Sequence, residues 1–317
     1  MKKIFATVLI LSLAITVFAG CGASSPGAPI EEAPVPAPAP EAPAAAPVEE
    51  APASSFDGSR EIVVVSREDG SGTRGAFIEL FGVQERGDDG STRDLTTREA
   101  IIADKTDIVM TNIAGDPYAI GYLSMGSLNE TIKAVPINGA AATAENIKNG
   151  SYEIQRPFNI AIKGEASGLQ KDFIDFILSK EGQEVAVDRG YIAAIDNAPA
   201  YSGNKPQGKI VVSGSSSVYP LMERLAEEYA KINTEATIEV HLSDSSAGMT
   251  AAIDGTADIG MASRALRESE LEELTDIVIA LDGIAVIVNR ENPIASISPE
   301  QVRGIFVGEI TNWSDVQ

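Results

Sequence analysis

Residues 209–231 read KIVVSGSSSVYPLMERLAEEYAK, and the two ends of that stretch follow different periods. Residues 209–212 are a short run rich in Ile and Val, the pattern of a buried strand. From Val218 onward Leu221, Met222, Leu225, Ala226 and Tyr229 fall at offsets 3, 4, 7, 8 and 11, one apolar stripe along a helix that runs to about Lys231. Between them lie only serines and a glycine. A strand that passes through a small polar turn into a helix is the repeating unit of an α/β fold.

Working outward, the same unit recurs. Residues 62–65 (IVVV) lead into Arg67-Glu68-Asp69-Gly70-Ser71-Gly72-Thr73, and residues 238–241 (IEVH) lead into Ser243-Asp244-Ser245-Ser246-Ala247-Gly248. Residues 284–288 form a further strand candidate, and Ser298-Pro299-Glu300-Gln301 has the cap, first-turn proline and capping-box partner of a helix start. A polar break at 197–208 separates two folded stretches, 57–199 and 209–317. The expected architecture is α/β with mainly parallel sheets, and a chain of 317 residues is long enough for two lobes.

Each of the three turns precedes a helix, whose first N–H groups are unpaired and carry partial positive charge, so each is a potential anion cradle. Serine and threonine hydroxyls there donate and also accept, which suits a partly protonated oxyanion. Taken singly, such a cluster is more simply an N-cap; three together favour a binding site. Arg67 adds a guanidinium suited to bidentate contact with phosphate, against the plainer reading of a surface arginine paired with Glu68 or Asp69.

Other chemistry is thinly represented. Gly70 to Gly75 fits G-x-G-x-x-G, but Ser66 to Asp69 intervene between strand and turn, unlike a dinucleotide fold. His241 is the one histidine and lies in a strand without an acid-His-nucleophile arrangement, and GSSSV is not a nucleophile elbow. There is neither a His/Cys metal cluster nor a calcium loop, so neither cofactor nor metal is expected, and the chain reads as a non-enzyme. The paired carboxylates Asp88-Asp89 and Glu272-Glu273 read as solvated surface. A net charge of −22 argues against nucleic acid as a partner.

The N-terminal region has its own composition. Residues 1–20 combine Lys2 and Lys3, an apolar run from Ile4 to Phe18 and a small-residue exit, the pattern of an export signal. Cys21, the single cysteine, follows a stretch resembling a lipobox and reads as a lipid attachment point, which implies a chain anchored on the outer face of the cell membrane. Residues 22–56 hold nine of the seventeen prolines and read as an extended tether.

Arg67 to Thr73 (REDGSGT) resembles the phosphate-contacting motif of the PstS-like phosphate-binding lipoproteins of ABC transporters. GSSSVYPLM (214–222), DSSAG (244–248), ADIGMASR (257–264), LDGIAVIVN (281–289), ITNWSDV (310–316), AIGYLS (119–124) and EGQEVAVDRGY (181–191) fit beside it. The resemblance implies a two-lobed periplasmic-binding-protein fold with a ligand cleft between lobes. It implies capture of inorganic phosphate for a permease and ATPase complex, with Arg67, Ser71, Gly72 and Thr73 from one lobe and Ser216, Ser217 and Ser245 from the other. Where some members carry an acid that accepts the phosphate proton, this chain has Ser263 and Arg264, leaving Ser263 or Asp282 as acceptor and sulfate or molybdate as rival ligands. An exported phosphate-handling enzyme is a more distant alternative.

The order of the motifs departs from the family's pattern, in which the GSSSV half comes first. The chain therefore resembles a circular permutant, with termini opened after Trp313 and the old ends joined through 197–208. Lobe membership is then 57–124 with 289–317, and 125–288. A piece of a tandem protein, or halves exchanged between two molecules, would give the same order.

Overall fold

The strand and helix periods resolve into the expected alternation in a computed structural model that describes residues 56–87 and 92–316. The export signal, Cys21, nearly all of the tether and Asp88-Asp89 lie outside the described residues. In chain order the first stretch runs β1 (Val63–Arg67), α1 (Gly72–Leu80), β2 (Gln84–Arg86), β3 (Thr92–Asp94), β4 (Ile101–Ala103), α2 (Thr106–Gly115) and β5 (Ala119–Ser124). It continues with β6 (Ile132–Val135), α3 (Ala144–Lys148), β7 (Gln155–Ile162), α4 (Gly168–Ile177), α5 (Lys180–Asp188) and β8 (Ile192–Ala193). The second stretch runs β9 (Gly208–Ser215), α6 (Tyr219–Ile232), β10 (Ala236–Ser243), α7 (Ser245–Asp254), β11 (Ile259–Ala262), α8 (Glu268–Leu271), β12 (Thr275–Asn289) and α9 (Pro299–Phe306).

Local chemistry accounts for these elements. The α6 stripe buries Leu221, Met222, Leu225 and Tyr229, and Val218 is buried just ahead of the helix. At α9 the Ser298 hydroxyl accepts from the Gln301 N–H at 3.2 Å while the Gln301 side chain accepts from the Ser298 N–H at 2.9 Å. That reciprocal cap contributes about 1 kcal/mol.

The main sheet is ordered β10-β9-β11-β7-β12-β5-β1-β4, with β6 and β8 also paired to β12. Parallel pairing holds at the two ends, among β10, β9 and β11 and among β5, β1 and β4. In the middle β12 runs antiparallel to β7, β5, β6 and β8. Its first part, from Thr275 to Gly283, faces β7, and from Ile284 onward it faces β5.

Two large apolar clusters follow this division. One contains Val65, Phe77, Tyr122, Ile287 and Phe306, the other Phe158, Phe173, Leu221, Tyr229 and Met261. Among the described residues the chain changes cluster between Ile154 and Phe158 and again between Ala280 and Leu281, and Ile192 packs across. The exchange points expected at 125 and 288 do not coincide with this: the buried residues from Met125 to Ile154 and from Ile284 to Val288 pack with β1 and α1, because β12 carries its apolar run on past the crossing.

The polar break at 197–208 is tied down. Asp172 on α4 accepts from the Tyr201 hydroxyl at 2.5 Å, the Tyr229 hydroxyl at 2.6 Å and the Asn204 N–H at 2.7 Å. Glu181 accepts from the Tyr201 N–H at 2.8 Å, and Asn233 donates to the Pro206 carbonyl at 2.9 Å.

Candidate anion-binding site

β1 delivers Arg67 at its end, and the Tyr122 hydroxyl fixes that end by accepting from the Arg67 N–H at 3.2 Å and bonding the Ser66 hydroxyl at 2.9 Å. Burial pushes the Tyr122 hydroxyl up to about 12, against the hydrogen bond from Ser66, so it stays protonated. Its ring stacks on Phe77 of α1 with centroids 3.8 Å apart, which locks strand to helix. Ser71 caps α1 by accepting from the Arg74 N–H at 3.3 Å, leaving Gly72 and Thr73 in the first turn.

The other cluster supplies the facing wall. β9 ends at Ser215, and Ser216 and Ser217 occupy the turn before α6. Gly214, near the end of β9, has φ of +144°, and a Cβ there would strike the Met261 backbone, so the strand requires glycine just before the turn. Asp244 caps α7 by accepting from the Ala247 N–H at 2.8 Å, which sets Ser245 at the first helical position. Ser263 follows directly on β11.

These segments meet. Arg67 Nη2 donates to Ser216 Oγ at 3.0 Å, and Thr73 Oγ1 bonds Ser217 Oγ at 2.8 Å. Ser215 Oγ donates to Ser263 Oγ at 2.9 Å, and the Ser263 N–H donates to Ser245 Oγ at 3.2 Å. A Cβ on Gly72 would overlap the hydroxyls of Ser245 and Ser263, so only glycine admits this approach. The Ser246 N–H donates to the Gly70 carbonyl at 3.3 Å, joining the two rims. All these hydroxyls are buried, and Arg67 is 2% exposed.

The guanidinium is paired as well as buried. Glu68 takes Arg67 Nε and Nη2, each at 2.8 Å, and itself stays partly exposed. The pairing anticipated for a surface arginine is therefore present, but on an interior one, where the carboxylate both offsets the charge and aims the fork.

The remaining sequence candidates stand apart from the hydroxyl cluster. Arg264 is held by both Glu270 oxygens at 2.7 Å and by the Ala265 carbonyl at 2.9 Å, and it touches the rim through Ser246 Oγ at 3.4 Å. Burial raises the Glu270 carboxyl, but hydrogen bonds from Arg264 and the Arg267 N–H outweigh it and hold it below its ordinary value. Asp282 is engaged by Arg156 Nε and Nη2 at 3.2 and 3.0 Å and by Ser124 Oγ at 2.9 Å. Burial pushes its carboxyl up, with Arg156 as the opposing charge. Among the described residues the hydrogen bonds of Thr73, Ser216, Ser217 and Ser245 go to hydroxyls, the guanidinium and backbone, not to a carboxylate.

Sequence reasoning missed Thr106, the first residue of α2, whose hydroxyl lies 3.2 Å from Ser216 Oγ, 3.4 Å from Ser217 Oγ and 3.4 Å from Arg67 Nη1. It belongs to a fourth strand-turn-helix unit, but β4 is three residues long and its turn, Asp104-Lys105, has neither glycine nor serine. Beside the cluster opens a groove of about 970 Å³ lined by Ser71, Arg74, Arg156, Pro157, Arg264 and Arg267 among others.

Hydroxyls at or beside the starts of α1, α2, α6 and α7, with one guanidinium, gather between two α/β clusters in a site whose chemistry suits an anion. A family model described as a PBP superfamily domain matches residues 54–181 and 199–317. The chain is 50% identical over 265 residues to the phosphate-binding protein PstS 2 of Streptococcus agalactiae, covering 83% of this chain and 90% of that one. It is similar to the crystal structure of a phosphate ABC transporter phosphate-binding protein from Streptococcus pneumoniae, with a TM-score of 0.66 and 44% identity over 81% of this chain and 100% of that one. The phosphate-binding protein PstS of Bacillus subtilis matches at 33% over 152 residues, 47% of each chain. The chain belongs to the PstS family within the PBP superfamily.

Proposed function

We propose that the protein captures inorganic phosphate outside the cytoplasm and presents it to an ABC transporter permease and ATPase complex. The observation that carries this is the convergence of Arg67 and Thr73 on Ser216 and Ser217, residues of opposite clusters, in one buried hydrogen-bonded set. A phosphate dianion in that set replaces hydroxyl-to-hydroxyl bonds by bonds from Arg67, Ser71, Thr73, Ser216, Ser217 and Ser245, with the Gly72 backbone close by. Fixed donors of this kind offset the cost of stripping water from the anion. Ser263 is the acceptor for its proton, since a hydroxyl accepts as readily as it donates.

The two clusters act as lobes that close on the anion, with the exchange between them near 155 and 281. Cys21 carries a lipid anchor, and residues 22–56 connect it to the binding unit. Among the described residues no helix is long and apolar enough to cross a membrane. The motif order is that of a permuted chain joined through 197–208. Supporting this, the streptococcal relative aligns over nearly its whole length whereas the Bacillus protein aligns over about half of each chain, as a collinear match to a rearranged order would.

The test is a calorimetric titration of the full chain with phosphate, sulfate and molybdate in separate and competing runs. Tight binding of phosphate that sulfate and molybdate displace only at large excess is expected. Preference for either rival, or turnover of a chromogenic phosphate ester, would overturn the reading.

A further inference from the structure

Arg156 and Asp282 sit opposite one another in the register of β7 and β12, at the step where both strands leave one apolar cluster for the other. Among the described residues the chain passes between clusters at these two strands, and Ile192 also packs across. β12 carries a register shift between Val278 and Ala280, just before this step, a local irregularity at which a strand bends. The ion pair at 3.0 Å is almost wholly shielded, with side-chain exposures of 2% and 0%.

We infer that the Arg156–Asp282 pair is the positioning device that sets the angle between the two lobes and couples it to the anion cradle, without itself touching the anion. Its connections run both ways. On one side Asp282 Oδ1 accepts from Ser124 Oγ at 2.9 Å, at the end of β5 in the first cluster. On the other Arg156 Nη1 donates to the Ser263 carbonyl at 3.0 Å, and Ser263 in turn bonds Ser215 and Ser245 in the cradle. Arg156 also lines the groove beside the cradle, the gap that widens if the lobes part.

The pair is flanked along β12 by the buried apolar residues Ile279, Ala280, Ile284 and Ala285, and a buried ion pair is often no more stabilising than an apolar pair of similar volume. What charges add is direction: two guanidinium N–H groups converge on Asp282 Oδ2 while Oδ1 is held by Ser124, and that arrangement holds only while the two strands keep one relative angle. The pair therefore selects the lobe arrangement in which Ser263 faces Gly72.

The inference rests on the two-lobe phosphate reading, so the unmodified protein is the internal control. The full chain and its Asp282→Asn, Arg156→Met and Arg156→Met/Asp282→Leu forms are titrated with phosphate and followed by amide hydrogen exchange over residues 70–76 and 213–218. In the unmodified protein phosphate should protect both segments; if it neither binds nor protects, the phosphate reading fails and not this one. Both single variants should bind phosphate at least tenfold more weakly and lose most of the phosphate-dependent protection. The double variant should melt at or above the temperature of either single variant while binding stays at least tenfold weakened. A folded single variant that binds within twofold of the unmodified protein, or a double variant that regains affinity along with stability, would overturn the assignment. If the single variants do not fold, the double variant decides.

Discussion

Gly72 shows most sharply what the site demands of a single residue. An alanine there is compatible with α1, where Gly72 is the first helical residue, and would favour that helix slightly. Its methyl group would nonetheless overlap the hydroxyls of Ser245 and Ser263, which belong to the opposite wall. Gly72→Ala is therefore expected to leave the melting temperature of the phosphate-free protein within about 2 °C, equivalent to a change of roughly 0.5 kcal/mol, and to weaken phosphate binding more than tenfold. A thermal melt and a titration on the same sample check it, and loss of stability without loss of affinity would contradict it. Thr106→Val should cost about 1 kcal/mol of phosphate binding, one neutral hydrogen bond, measurable by the same titration. Arg67, Thr73, Ser216, Ser217 and Ser245, which the fold brings into one hydrogen-bonded set, could be picked out in the sequence as candidates because each belongs to a turn with a recognisable helix start. Thr106 could not, since nothing local distinguishes it from an ordinary first-turn threonine, and only its approach to Ser216 gives it a part. Nor could the engagement of Asp282 by Arg156, which depends on the register of two strands far apart in the chain.

Among the elements, those with a clear period were readable and those defined by partners were not. The α6 stripe and the α9 capping box lie where the spacing predicted, because an amphipathic face and a reciprocal cap are local properties. The strand from Thr275 to Asn289 is three times the length expected from its apolar run at 284–288, because a second apolar run, Ile277 to Leu281, pairs with β7 and continues through Asp282 and Gly283 into the first. The segment 197–208, read as a polar break, is a strap held largely by one carboxylate. Burial raises the Asp172 carboxyl, but the Tyr201 and Tyr229 hydroxyls and the Asn204 and Lys205 N–H groups outweigh it, and the net shift is downward. A carboxyl whose folded value is depressed stabilises the fold above its unfolded value, about 4, and that stabilisation is lost as the pH falls through the folded value. Asp172→Asn should therefore lower stability at pH 7 by about 1 kcal/mol, with the gap to the unmodified protein narrowing below about pH 4. Melting curves from pH 7 to pH 2.5 would show it, and a gap that does not depend on pH would refute it.

At the scale of the whole molecule, two apolar clusters share one sheet and are joined by two strands, so an anion between them is bound only if both sides contribute. The two-cluster organisation could be expected from chain length and the repeated units, but where the clusters exchange could not, because that is fixed by how far β12 continues past its crossing. Whether both walls hold the same phosphate is decided by calorimetric titration of Arg67→Ala, Ser217→Ala and the double variant. Arg67→Ala should lose about 1.5–3 kcal/mol, at least tenfold, as a charged hydrogen bond does, and Ser217→Ala about 1 kcal/mol. Because the two would act on one ligand, the double variant's loss should differ from the sum of the two single losses by at least 0.5 kcal/mol. Unchanged phosphate affinity in either single variant would mean that its wall takes no part, and the shared cradle would have to be abandoned.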